Sequence, residues 1–409
     1  MGPLESSRVT GNGPAEPGVP PTLAVTYQEL PGRPADHYPV ISQFLMRQLA
    51  GAIPPGLAME VRSSAATAYS AAGGWAKLTE SAPGSASPAG PTSRVLPQAP
   101  VPADTGTLFD LASLTKVVAT LPLVLLLHQR RRWSVDDPVA PWLPGAPASP
   151  VTISDCLLHI AGLVPFRQYY LTCAGPEEIR RAVIAELAAA VGPVSYSDVG
   201  FMLPGWAVEN CAGESLATLF AREVARPLGM TSTGYLPAAP RLRIAATEAD
   251  GDVRTRAGLV WGDVHDGNAF APGGTSGHAG LFGTVADLGR FAGALLRPDQ
   301  HPVLSAETIA LMTSRQTGPD QEARVLGWRV RPEKWGSWPD GTIWHTGFTG
   351  TSMLIAPALD AAVVLLTNAI HPVRRAAETA EFRAKVHQEV LAAPSLTLVA
   401  NTPWGYDTV

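Results

Sequence analysis

Eight residues, Phe109-Asp110-Leu111-Ala112-Ser113-Leu114-Thr115-Lys116, run directly into the apolar segment Val117 to Leu127 and restrict this chain more than any other stretch. Read as the opening of a buried helix, they place Ser113 in the first turn and Lys116 one turn later on the same face, so hydroxyl and amine touch. A serine hydroxyl is a weak nucleophile at neutral pH. A lysine amine removes its proton only where burial depresses the amine's pKa enough to leave it uncharged. The segment therefore reads as an activated nucleophile. The competing reading is an N-cap serine followed by a lysine that snorkels to solvent. Composition favours the first: the chain has four lysines, Lys77, Lys116, Lys334 and Lys385, and only Lys116 follows a serine at this spacing. The remaining basic residues are arginines, which stay protonated and cannot serve as a base.

The 409 residues suffice for one large two-lobed domain or two ordinary ones. A net charge of -5 leaves no electrostatic footprint for nucleic acid or an anionic membrane, so a small molecule is the expected partner. The 39 glycines and 39 prolines point to many ordered loops around a helical framework. Cys156, Cys173 and Cys211 form no C-x-x-C pair and read as small hydrophobes in a reducing compartment. Met1 to Pro21 lacks a basic segment followed by an apolar one, and Val117 to Leu127 falls short of the roughly 20 residues that span a bilayer. These features together predict a cytoplasmic protein.

Along the chain, residues 1–34 show no sustained period and read as a loose arm. Val40, Phe44, Leu45, Leu49 and Ile53 keep helical spacing until Pro54-Pro55-Gly56. Leu57 to Val61 and Ala66 to Ala71 read as a hairpin, and Ser81 to Pro102 as an extended loop. Helices are predicted over Pro176 to Ala190, Val199 to Glu209, Ser215 to Val224 and Val285 to Leu296. The stretch Pro237 to Gly283 is loop-like. Short β-type runs follow at Arg324 to Val330, Thr342 to His345, Thr351 to Ala356 and Ala361 to Thr367, then an amphipathic helix over Arg374 to Leu391. Strands at both ends with helices between predict an α/β (α+β) fold: one antiparallel sheet built from both chain ends and flanked by helices, with an inserted helical lobe. The expected division is an α/β lobe of residues 35–125 and 285–400, a helical lobe of 126–284, and a tail of 401–409.

Two more segments carry chemistry. In Ser195-Tyr196-Ser197-Asp198, Asp198 is placed to cap the following helix, while Tyr196 beside an ammonium suits a proton relay between Ser113 and a leaving group. In Trp344-His345-Thr346-Gly347-Phe348-Thr349-Gly350, a strand edge carries His345 and its glycines admit a ligand close to the backbone. Together the three segments resemble the serine β-lactamase and penicillin-binding-protein superfamily, in particular its class C β-lactamase-like esterase and transacylase branch. Ser113-x-x-Lys116 matches the first motif. Tyr196-Ser197-Asp198 is similar to Tyr-Ser-Asn, and His345-Thr346-Gly347 to Lys-Thr-Gly. The likeness runs from about Pro55 to about Ala369 and takes in Leu157 to Leu163, Pro227 to Met230 and Gly280 to Thr284.

The resemblance implies a β-lactamase-like fold in which Ser113 attacks an acyl carbonyl and Lys116 with Tyr196 handles the proton. It further implies that His345 faces the substrate and that the backbone N–H groups of Ser113 and Phe348 form the oxyanion hole. Asp198, Thr346, Gly347, Trp261 and His265 become candidate substrate contacts. Asp198 stands where β-lactamases offer an amide, and His345 where they carry a permanent positive charge, which argues against a β-lactamase or a D,D-peptidase. The chain also lacks the G-x-S-x-G of an α/β-hydrolase. The expectation is a serine esterase, amidase or transacylase acting on a small-molecule acyl donor with water, an amine or an alcohol as acceptor, as in ester-to-amide exchange on a secondary metabolite. A catalytically silent sensor with the same fold is the reading from another class. No cofactor is called for: His265, Asp266 and His278 fit no metal motif and are expected to stabilise their loop by hydrogen bonds.

Overall fold

A computed structural model describes residues 23–27, 38–78, 100–189, 195–249, 258–314, 316–317 and 323–393. The bulk of the expected arm, the Ser81 to Pro102 loop except its last residues, and the 401–409 tail lie outside these residues.

The large sheet is made by strands β1 (Ala24–Tyr27), β2 (Gly56–Arg62), β3 (Thr67–Lys77), β4 (Val101–Pro102), β8 (Arg324–Val325), β9 (Trp328–Val330), β10 (Ile343–Thr346), β11 (Ser352–Ala356) and β12 (Ala361–Thr367). Its order is β1-β3-β2-β12-β11-β10-β9-β8, with β4 against the far end of β3, and every pair is antiparallel. A small second sheet joins β5 (Phe109–Asp110), β7 (Leu281–Gly283) and β6 (Gly234–Tyr235). The two chain ends thus meet where β2 pairs with β12, Leu57 opposite Thr367.

The central strand β12 shows why the sheet sits where it does. Its seven residues are all buried, and they alternate between two cores. Ala361, Val363 and Leu365 face the cluster formed with helices α1 (Tyr38–Ala50) and Ala376–Leu391, whereas Ala362, Val364 and Leu366 face the larger core beneath the nucleophile segment. A period of two with both faces apolar requires cover on both sides. That larger core also holds helices α2 (Leu121–Gln129), α3 (Ile153–Leu158), α4 (Val199–Ala212) and α5 (Val285–Leu295), and the closing helix Ala376–Leu391 becomes α6.

Four sequence expectations change in detail. Ala24–Tyr27, assigned to the loose arm, forms an edge strand on β3. Arg324 to Val330 is two strands, because Gly327 at φ 77° turns the chain between them. The helix expected over Pro176 to Ala190 is α-helical to Ala185 and tightens to a 3₁₀ turn over Glu186–Ala189. The buried helix after Ser113 opens as a π turn over Lys116–Thr120 before α2. Pro122 follows within two residues and has no N–H to return to the preceding turn, which matches a local change of helix register.

Candidate active site

The nucleophile segment leaves β5 through a tight turn. Ala112 adopts φ 47°, a left-handed conformation that costs a residue with a Cβ of order 1 kcal/mol or more. The buried Asp110 carboxylate holds it: one oxygen accepts the Ala112 N–H at 2.8 Å and the other accepts the His265 N–H at 2.7 Å. Burial raises the pKa of Asp110, and the two N–H bonds oppose that rise. On the other side, Thr349 Oγ1 donates to the Asp110 carbonyl at 2.7 Å and Thr351 Oγ1 to the Leu111 carbonyl at 3.2 Å. The edge beyond β10 is thereby fastened to the turn that presents Ser113.

Lys116 lies fully buried, and Nζ donates to Ser113 Oγ at 2.9 Å, Asp198 Oδ1 at 2.7 Å and the His278 carbonyl at 3.1 Å. All three ammonium protons are used. Burial alone lowers the pKa of such an amine, but the Asp198 carboxylate and the neighbouring Tyr196 outweigh it and raise Lys116 above the ordinary lysine range. The expectation of an uncharged lysine is therefore corrected: Lys116 is an ammonium at neutral pH. The same contact corrects the reading of Asp198 as a cap. It occupies the N-cap position of α4 without a side-chain cap bond, its carboxylate being turned to Lys116.

This ion pair makes a stability prediction. Wild-type Lys116 contributes stability that is fully present below the unfolded lysine pKa and is lost as pH rises through the higher folded value. In Asp198→Asn, burial is opposed only by Tyr196 and by the remaining bonds to Ser113 Oγ and the His278 carbonyl, so the charged amine loses its main support. Urea unfolding at neutral pH should show Asp198→Asn less stable by about 3 kcal/mol, and the gap should close above pH 10.5. A gap that stays constant across this range would show that the pair does not carry the difference.

Tyr196 stands over this pair, its ring centroid 5.1 Å from Lys116 Nζ and 5.5 Å from the Arg324 guanidinium. His159, at the left-handed C-cap of α3, packs its ring 4.5 Å from that of Tyr196. His159 Nδ1 accepts the Ser197 N–H at 3.0 Å, which leaves the hydrogen on Nε2. His345 on β10 lies 6.1 Å from the Tyr196 ring and is buried, and its ring nitrogens have no side-chain hydrogen-bond partner among the described residues. Burial first, and then the charges of Lys116 and Arg324, hold both imidazoles far below their ordinary pKa, so both are neutral.

Ser113, Tyr196, His345, Thr346 and Gly347 line one open cleft of about 270 Å³. Phe348 borders it, with its exposed side chain between the Arg374 guanidinium at 4.2 Å and the His265 ring at 5.4 Å. The N–H groups of Ser113 and Phe348 donate to no acceptor among the described residues. The other expected contacts, Trp261, His265 and Asp198, do not line the cleft themselves, although His265 packs on Phe348. Trp261 is buried and donates to the Ile244 carbonyl at 2.7 Å, His265 Nε2 bonds Glu248 at 2.9 Å, and Asp198 is on Lys116. Arg329, Arg374 and Arg383 line the cleft and were not singled out in the sequence. Arg383 had a signal: on α6 it shares a four-residue spacing with the buried Thr379 and His387, a charge on an otherwise inward stripe.

Asp198, Asp266 and His278 bring ligand atoms within 4.8 Å of one another. Those atoms are already engaged. Asp198 holds Lys116, and His278 Nε2 bonds Asp266 Oδ1 at 2.9 Å, while its Nδ1 bonds Ser276 Oγ at 2.8 Å. Burial pushes the Asp266 pKa up, but His278 outweighs it and holds Asp266 well below the usual carboxylate range. The loop is thus tied by hydrogen bonds, as the sequence reading anticipated for Asp266 and His278, and His265 is bonded elsewhere.

The sheet and the helices on its two faces form a β-lactamase-like fold, and the chain is a serine hydrolase or acyltransferase of that fold. The chain belongs to the Beta-lactamase family, whose profile matches residues 45–388. A relative from Escherichia coli K12, described as "Putative D-alanyl-D-alanine carboxypeptidase", is 34% identical over 319 residues, covering 68% of this chain and 72% of its own. Simvastatin synthase (LovD) from Aspergillus terreus superposes with a TM-score of 0.65 at 16% identity, over 88% of this chain and 100% of that one. EstCE1, described as a hydrolase with promiscuous acyltransferase activity, gives a TM-score of 0.65 at 21% identity, over 87% and 98%. The two solved structures are similar in fold. Among the described residues, no helix is long and apolar enough to cross a membrane.

Proposed function

We propose that this protein transfers acyl groups from a small-molecule ester or amide through an acyl-Ser113 intermediate, releasing them to water or passing them to an amine or alcohol. The carrying observation is the 2.9 Å contact between Ser113 Oγ and an ammonium, in a cleft lined by Ser113 and Phe348, whose N–H groups have no acceptor among the described residues. As Oγ bonds to the acyl carbon, the Lys116 ammonium stabilises the negative charge gathering on Oγ. Tyr196, in the same cleft, carries the serine proton to the leaving group. The N–H groups of Ser113 and Phe348 receive the carbonyl oxygen as it becomes an oxyanion. Neutral His345 offers substrate a hydrogen bond rather than a charge.

A peptidase reading keeps one specific support: Arg329, Arg374 and Arg383 bring positive charge to the cleft that His345 does not. It sits alongside the carboxypeptidase description of the 34% identical relative. The two readings separate by products. With a short p-nitrophenyl ester, intact-protein mass spectrometry should show an acyl adduct, and added amine should divert free acid to amide if transfer is the function. Release of D-alanine from a D-alanyl-D-alanine peptide, without turnover of any ester across a range of chain lengths, would favour the peptidase instead.

A further inference from the structure

We infer that Arg383 is a positioning residue of this site, which fixes and polarises the Gly347–Phe348 peptide so that the Phe348 N–H is a stronger donor to the oxyanion. The inference rests on the acyl-Ser113 reading above. Arg383 Nη2 donates to the Gly347 carbonyl at 3.1 Å, and Gly350 N–H donates to the same oxygen at 3.1 Å. That carbonyl and the Phe348 N–H are opposite ends of one planar peptide group. A cation on the oxygen draws electron density across the plane and strengthens the N–H at the far end.

The placement of Arg383 is otherwise hard to account for. Its Nε is buried without a hydrogen-bond partner, and among the described residues no carboxylate pairs with it; the nearby acidic side chain on α6, Glu381, bonds Lys385 at 2.7 Å. A guanidinium so placed is costly unless the charge has a use. Burial pulls its pKa down to about 10, so the charge persists at neutral pH. Because negative charge appears on the carbonyl oxygen only as the tetrahedral species forms, the benefit is larger in the transition state than in the bound substrate.

The alternative use of Arg383, which borders the cleft, is to read an anionic group on the substrate. A matched pair of aryl esters, one with a neutral acyl chain and one ending in a carboxylate, separates the two. With Arg383→Met, kcat should fall about 10–100-fold for both esters, a fraction of the roughly 10²–10³ lost with a whole oxyanion donor, while KM stays within about twofold. Affinity for phenylboronic acid, whose serine adduct presents a tetrahedral oxyanion, should fall in parallel, and Arg383→Lys should restore most of both. A loss confined to KM for the anionic ester would overturn the inference in favour of charge reading. A lower melting temperature with unchanged boronate affinity would reduce Arg383 to a structural residue. Ser113→Ala runs alongside: an adduct persisting there would instead remove the acyl-Ser113 reading beneath the inference.

Discussion

Replacing Ser113 by Ala should abolish the acyl adduct and lower ester turnover by on the order of 10⁴–10⁶, as loss of an attacking serine does elsewhere, while the protein unfolds at nearly the same urea concentration. The two halves of this result have separate causes. Ser113 Oγ lines the cleft 2.9 Å from the Lys116 ammonium, and alanine leaves nothing to bond the acyl carbon. Stability is largely preserved because Lys116 keeps its bonds to Asp198 and to the His278 carbonyl, so no buried charge is stranded. Ala112 also keeps its N–H on Asp110, and the left-handed turn survives. A loss of about 1 kcal/mol is expected, because one donor of the buried Lys116 ammonium loses its protein acceptor while the other two keep theirs. Turnover within tenfold of wild type would place the nucleophile elsewhere.

The sequence made part of this site legible because those parts are local. Ser113 and Lys116 are three residues apart, so helix geometry alone brings them together. The strand runs of the C-terminal third were readable because β12, covered on both faces, is a nearly unbroken apolar run of strand length. The state of Lys116 was not readable, because it depends on Asp198, 82 residues away in sequence, whose local role as a cap was the simpler inference. Residues Ala24–Tyr27 were missed for a related reason: four residues of an edge strand carry too little pattern to stand out from a Gly- and Pro-rich flank. Trp261 and His265 were assigned to substrate by resemblance, and their partners Ile244 and Glu248 lie in a neighbouring segment that carried no motif. The arginines of the cleft come from β9 and from the chain leading into and along α6, where a charged residue on a helix ordinarily signifies solvent.

Gly347→Ala should lower activity and stability together although it removes no chemical group. A Cβ at this position would meet the Thr351 hydroxyl, the Leu111 carbonyl oxygen at 2.6 Å and Ala112 Cβ at 3.3 Å. The hydroxyl can rotate. The Leu111 oxygen cannot, because it belongs to the turn that Asp110 and Thr349 already hold. The chain after β10 must therefore move away from the nucleophile turn, carrying the Phe348 N–H from the oxyanion position and breaking the Thr351 bond to the Leu111 carbonyl. Loss of a single oxyanion donor typically costs about 10²–10³ in rate, and overpacking of this kind costs about 1–3 kcal/mol of stability. The measurement is kcat/KM together with a urea melt, for Gly347→Ala and for Gly347→Ala combined with Thr351→Ala. The second change relieves the hydroxyl clash but leaves the Leu111 oxygen in place, so stability should partly return while activity does not. Near-wild-type turnover in either folded variant would mean that the Phe348 N–H does not receive the oxyanion, because accommodating the added methyl moves the Gly347–Phe348 peptide away from the nucleophile turn.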